Sequence, residues 1–461
     1  VFKRIYNSTV SIHTPGIPSE KENLSLRFVK YFFLWLMMWQ DSSITGSAFQ
    51  YQELFGSTSP FRPFEIILAI NILILVIERT IERDYTIKRS FFWGPLILLG
   101  LAFFLSWMRG MVIRQEVAVV FEVHEAFLLP FEFFVFRNLL REPKEWRIIP
   151  ILILLASIGK AADGVWIYIF STDPNKSWGV LQNWRDGYLL GIGVCAIVLF
   201  MHYKGTALLW LKKTMLIASP IIFFSLITSY RRTFFVAIIV SLVFMFISIG
   251  KGKRIRHLGL FFLLLLTLTV VILLTDPIGF ITRMFAVVNP KEEGSAYIRL
   301  MELPNVLMNI RDNPIFGTAI GTQWYQYLRM PLFANFTTLG THNSYLYWPL
   351  RGGIFALVGF WWMISKIWKV VLLQVRLSDG EDDKFLSQVS LYMIFIYMIG
   401  SFFGLMYGDV MTPIIALYLT SLQLYTEEKF GMTKINNIKL WQTLKEKRVV
   451  LRFPSTSSAS V

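Results

Sequence analysis

The chain has 461 residues, 55% of them hydrophobic and only 16% charged, with a mean hydropathy of +0.54. That balance excludes a string of soluble domains, because runs such as LGLFFLLLLTLTVVILL (258–274) approach the ~20 apolar residues that cross a bilayer's hydrocarbon. The net charge of +15 reads as Lys and Arg retained beside a membrane, not as a nucleic-acid surface, since no basic stripe stands outside such flanks.

Taken in order, residues 1–27 form a polar lead carrying Lys3, Arg4, Lys21 and Arg27, without the pattern of a cleavable signal peptide. A short first span, Phe28 to Trp39, follows. Further spans are expected near 63–78, 91–108, 115–136, 148–170, 186–203, 206–228, 233–249 and 257–275, then 344–371, 386–407 and 410–427. The 344–371 span contains Arg351-Gly352-Gly353, where a break is expected. The expected fold is all-α: a polytopic membrane protein of about twelve transmembrane helices, one integral domain over 28–428. A large outward-facing loop with short helices occupies 276–343, and a basic tail runs from 429 to 461, with Ser455–Ser460 of low complexity. The single cysteine, Cys195, lies in an apolar span and offers neither an intrachain disulfide nor a cysteine-based metal site.

Charge sets the orientation. One group of flanks carries Arg79, Arg83, Lys88, Arg89, Arg137, Arg141, Lys144, Arg147, Lys204, Lys212 and Lys213. The same group continues with Lys251–Arg256, Lys366–Lys384 and the tail. The alternate loops carry fewer: Arg62, Arg109 with Arg114, Lys176 with Arg185, and Arg231 with Arg232. Positive residues stay inside, so both termini are expected in the cytoplasm and the loop 276–343 outside.

The polar residues worth chemistry collect on that outer side. Arg231 and Arg232, in LITSYRRTFFVAIIV, read either as interfacial anchors or as an anion site, for which the planar guanidinium fork suits phosphate oxygens. Arg299 sits in the first turn of an amphipathic pattern, Ile298, Leu300, Met301, Leu303, Val306, Leu307 and Ile310, expected to lie along the outer surface. His342 stands at the lip of a span beside Thr341, Asn343, Ser344 and Tyr345. An unperturbed imidazole titrates near pH ~6.5 and can accept a hydroxyl proton at neutral pH. Asn343 is a candidate to hold its tautomer, and Tyr345 supports the same corner. His124, among Glu116, Glu122, Glu125 and Glu132, suggests a proton path, a metal site or simple polar packing; the adjacent Glu125 does not share its helix face. Arg185-Asp186 reads as an ion pair at an outer lip. No GxxxxGK[ST], HExxH or GxSxG occurs, so the chain carries no sequence signature of an ATP-driven pump, a zincin or a nucleophile-elbow hydrolase.

In their order and spacing these segments resemble the O-antigen ligase and polymerase family of bacterial envelope glycosyltransferases. TSYRRT resembles the family's Ser-Arg motif, with Arg232 the better match and Arg231 its neighbour. SAYIRLMELPNVLMNIRDNPIFGTAIG resembles its Arg, short helix and Pro-x-x-Gly-x-x-x-Gly run, which assigns Arg299. THNSYLYWPLRGG resembles its His-Asn-x-Tyr-Leu motif, which assigns His342; where the family often has an acidic residue before the glycine, this chain has Arg351. The motifs span roughly 205–360. The resemblance implies an inverting, metal-independent transferase with no cofactor. Its donor would be a glycan on undecaprenyl diphosphate, and its acceptor a hydroxyl of lipid A core or of another glycan. Arg232 and Arg299, with Arg231, would bind the diphosphate, and His342 would act as the base. The setting implied is the outer side of the bacterial inner membrane, with membrane lipid as a partner. A polymerase of the same family is the near alternative. A transporter or flippase of lipid-linked oligosaccharide is the alternative of another class, and a scaffolding subunit a remoter one.

Overall fold

In the computed structural model, the residues described are 24–39, 63–114, 123–170, 184–229, 232–248, 294–320, 322–330, 341–403 and 411–431. Among them 84% are helical and none is in a strand. The helices are α1 (Leu24–Trp39), α2 (Pro63–Glu82), α3 (Trp93–Arg114), α4 (Val123–Leu139), α5 (Ile148–Phe170), α6 (Trp184–Phe200), α7 (Leu209–Thr228) and α8 (Arg232–Ser248). After these come α9 (Gly294–Asp312), α10 (Ser344–Leu377), α11 (Gly380–Phe403) and α12 (Met411–Phe430), with a 3₁₀ turn at Pro143–Arg147. Each expected span meets one of these helices except 257–275, which lies outside the described residues. Among the described residues, five stretches are long and apolar enough to cross a membrane: Trp93–Ile113, Pro143–Phe170, Leu209–Thr228, Ser344–Leu377 and Gly380–Phe402. At a rise of 1.5 Å per residue, α3 is about 33 Å long, close to the ~30 Å of a bilayer core.

One apolar core joins these helices, with Phe92, Phe133, Leu154, Ile222, Phe234, Phe360 and Leu417 all buried. Between lipid-bathed helices apolar burial adds little, so close packing and interhelical hydrogen bonds of about 0.6 kcal/mol each hold the bundle. Ser225 of α7 donates to the Ala161 carbonyl of α5 (2.6 Å), and Tyr418 of α12 to that of Ser390 on α11 (2.7 Å). Tyr188 of α6 donates to the Met393 carbonyl of α11 (3.1 Å). Gly187 of α6 lets α8 approach: a Cβ there would stand 2.3 Å from Phe234 Cδ2.

The bundle has two chemically different ends. At one, Arg27 pairs with Glu142, Lys30 with Glu78 and Glu145, Arg79 with Asp84, and Arg137 with Glu427. Arg141 pairs with Glu82, Arg147 with Asp383 and Glu428, and Lys429 with Asp379. Apart from Arg27 of the lead and Lys30 of the first span, these basic residues belong to the flanks that charge counting groups together. α3 fixes the direction of the second end. Beside its first turn, Ser90 and Phe91 bond Gln423 of α12 (2.8 and 3.2 Å), near the ion pairs. Its far half, through Ser106 and Arg109, bonds α10 and the segment 313–317. Arg109, from the sparsely charged group of loops, therefore stands at the opposite end.

The expected Arg185-Asp186 pair falls outside the described residues with the side chain of Arg185, and Asp186 has another partner. Its carboxylate meets Lys160 of α5 at 3.0 Å, both side chains buried, because α5 and α6 pack face to face. Glu132 is buried in α4, while Glu116 and Glu122 and the side chains of His124 and Glu125 lie outside the described residues.

Candidate active site

α9 and the start of α10 build the site at the end opposite the ion pairs. α10 begins at Asn343, whose backbone is extended (φ −117, ψ 111) and whose side chain accepts from the Tyr345 and Leu346 amides (2.9 and 3.3 Å). This is helix capping. It engages the Asn343 oxygen, so holding the imidazole tautomer falls to another residue. That residue is Glu302 of α9. One carboxylate oxygen accepts the His342 backbone N–H at 2.6 Å, and the other lies 2.5 Å from His342 Nδ1. An ionised carboxylate only accepts, so the Nδ1 proton sits between them, and in the neutral ring that tautomer leaves the lone pair on Nε2. Glu302 is buried, its side chain 3% exposed, whereas that of His342 is 31% exposed. The imidazole is thus held from beneath and open above.

Arg299 lies three residues before Glu302, one helical turn along the same face. Glu302 bonds His342, and Arg299 stands about a turn before Glu302 on the same helix. Arg232 is the first residue of α8, next to the α7 cap at Ser229, and α8 starts at the end of the bundle where α6 begins, as the Gly187–Phe234 contact shows. Arg231 and the side chain of Arg232 lie outside the described residues. Tyr345 does not face this corner: its hydroxyl donates to the Met398 carbonyl of α11 (2.8 Å), and its ring stacks on Trp361 (5.5 Å, 11°).

The face that α9 packs inward differs from the expected apolar one. Leu300, Leu303 and Leu307 are exposed, while Glu302, Asn305 and Asn309 are buried with Ile298 and Val306. The polar residues are inside because each finds a backbone partner. Asn309 accepts from the Tyr325 amide (2.9 Å) and donates to its carbonyl (2.6 Å). Asn305 does the same to Leu328 (2.7 and 2.9 Å). Two asparagines a turn apart thus hold the returning segment 322–330 along the helix. Trp324 and Met330 close a small apolar cluster beneath it with Ile298, Val306 and Leu350.

The Pro-x-x-Gly turn has a matching physical reason. Gly353 breaks α10 (φ 64, ψ −158). In a continuous helix the Ile354 amide would bond the Leu350 carbonyl. Here Ile354 donates to the Pro314 carbonyl (2.8 Å) and Leu350 accepts from the Thr318 amide (2.7 Å). The broken rungs are remade by the turn, as a helix inside a membrane protein requires. A Cβ on Gly353 would stand 1.9 Å from the Ile315 oxygen, and one on Gly317 2.5 Å from that of Leu350, so both crossing strands of backbone require glycine. Arg351, buried, donates to the Ala319 and Thr322 carbonyls (2.7 and 2.6 Å). Arg109 donates to the Gly317 carbonyl and to Asn313 Oδ1 (2.7 Å). Sequence reading missed Glu302 and the asparagines. The i, i+4, i+8 spacing of Asn305, Asn309 and Asn313 was the available signal.

Fold and site together define a class: an all-helical membrane protein with a carboxylate-oriented histidine and an arginine gathered at one end of its bundle. Residues 217–361 match the Wzy_C family, described as O-antigen ligase, which places an O-antigen ligase-like domain over all three sequence motifs. The matched stretch is less than half of the chain. Comparison with curated proteins finds no match.

Proposed function

We propose that the protein is a membrane glycosyltransferase of the O-antigen ligase and polymerase type, which moves a glycan from undecaprenyl diphosphate to an acceptor hydroxyl on the outer side of the bacterial inner membrane. The observation that carries this reading is the Glu302–His342 pair, one helical turn from Arg299. The ion-paired end, with the basic flanks, faces the cytoplasm, and the His342 end faces out. His342 Nε2 takes the proton of the acceptor hydroxyl while Glu302 stabilises the imidazolium that forms. The acceptor oxygen bonds to the anomeric carbon from the side opposite the diphosphate. The bond from that carbon to the diphosphate oxygen breaks, and undecaprenyl diphosphate leaves with the electron pair. Arg299 and Arg232 balance the charge that develops on it. The acceptor is a sugar of lipid A core in a ligase, or the lipid-linked glycan itself in a polymerase. No cofactor enters this scheme.

The buried Lys160–Asp186 pair favours a second reading, a flippase for the lipid-linked glycan, because ionised side chains within a bundle commonly line a path. Purified protein in vesicles separates the two. A lipid-linked donor added from one side is cleaved and its glycan transferred if the first reading holds. Movement of intact donor across the bilayer, with no bond change, overturns it in favour of the second.

A further inference from the structure

Two large aromatic side chains near the site belong to neither apolar cluster. Tyr325 is 68% exposed and Tyr327 38%, while Trp324 beside them is 2% exposed. Their rings meet edge to face, centroids 4.8 Å apart at 77°. They are held in place. The Asn309 amide fixes both backbone groups of Tyr325, Asn305 fixes Leu328, and the Tyr327 hydroxyl donates to Asp312. That hydrogen bond, followed by the one from Arg311, holds the Asp312 carboxyl below the usual aspartate range.

We propose that Tyr325 and Tyr327, with Asp312, form a stacking subsite for a pyranose ring of the glycan that passes His342; this rests on the glycan-transfer reading above. The C–H face of a pyranose is weakly positive and packs on the electron-rich face of a tyrosine ring. A fixed carboxylate beside it accepts sugar hydroxyls in charge-assisted hydrogen bonds. Rings already immobilised lose little entropy on binding. Position agrees with this. Asp312 lies ten residues beyond Glu302 on α9, about 15 Å along the axis, roughly three pyranose units. The segment 325–328 runs back along the same helix toward the Glu302 turn, from Asn309 to Asn305. A lipid chain fits less well: Arg311, 73% exposed, and Asp312 flank the rings, whereas the apolar stripe Leu300, Leu303 and Leu307 is the face suited to lipid.

The test uses the full chain in lipid nanodiscs, with two probes released by mild acid from the producing strain. One is envelope polysaccharide, size-fractionated into single- and multiple-repeat fragments, and the other is lipid A core oligosaccharide. Binding is read by saturation-transfer NMR and by titration. Tyr325→Ala with Tyr327→Ala is expected to weaken binding of multiple-repeat fragments about tenfold. The corresponding double Phe variant, which keeps the rings and loses the Asp312 contact, stays within about threefold of wild type. Loss confined to repeat fragments assigns the subsite to the donor glycan, and loss confined to core oligosaccharide assigns it to the acceptor. Binding by the Ala pair equal to wild type, or equal loss in the Phe and Ala pairs, overturns the proposal. If the wild type transfers no glycan, the proposed function falls, while the binding series still decides the subsite.

Discussion

The two ends of the bundle treat charge in opposite ways. At the first, basic residues meet carboxylates: Arg147 makes a two-pronged contact with Asp383 (2.7 and 2.9 Å), and Lys30 lies 3.1 Å from Glu145 with both side chains buried. At the second, Arg109 and Arg351 bond backbone carbonyls of the loop, and the described carboxylate at its centre, Glu302, holds a histidine. Ion pairs at the first end join helix termini to one another. Guanidiniums at the second fasten an irregular segment, and a carboxylate there holds an imidazole. Charge is used for closure in one place and for positioning in the other.

The sharpest break of that contrast is at His342. His342→Ala is expected to lower kcat by 10²–10⁴ or so, the contribution of a positioned base, with the protein still folded but less stable, because the buried Glu302 loses its ring partner. Glu302→Gln should lower kcat about 100-fold at nearly constant KM, and Glu302→Asp should recover part of it; both are read from turnover of a lipid-linked donor in vesicles. A wild-type rate in Glu302→Gln would remove the carboxylate from the scheme. Next in size is Gly353→Ala. With φ at +64 and a Cβ placed 1.9 Å from the Ile315 oxygen, the variant should lose several kcal/mol and fail to accumulate, as measured by membrane yield and thermal unfolding.

Arg299→Lys sharpens the second end further. A point charge in place of the planar fork should cost a factor of about 10–100 in kcat/KM while leaving unfolding temperature in place. Arg147→Ala, at the ion-paired end, should do the reverse: stability falls by about 1 kcal/mol or more, kcat does not move. Should Arg147→Ala abolish transfer in well-folded protein, the division of labour between the ends is wrong. The smallest effect is that of pH on the Tyr327–Asp312 contact. Asp312 is depressed, so its contribution is full above the ordinary value of 3.8 and is lost as pH falls through the lowered folded value. Tyr327 is raised by the same bond, so its contribution is full below 10.0 and is lost only above that. Oligosaccharide binding should therefore stay flat across the neutral range.

Much of this was written locally in the chain. Apolar runs fix where helices form, because length and hydropathy are properties of a single segment. The grouping of basic flanks foretells which helix ends meet, since Arg79, Arg137, Arg147 and Lys429 gather as that grouping requires. The histidine and the arginine of α9 stood out by their place among polar residues next to a span. Only tertiary structure decided which partners those residues take. Glu302 reaches His342 across forty residues of sequence, Lys160 meets Asp186 from the neighbouring helix, and the Gly353 break is completed by the Pro314 turn. Periodicity and charge counts see one segment at a time. Hydrogen bonds between segments depend on how helices pack, and that is where the asparagines of α9 and the carboxylate beneath the imidazole acquire their roles.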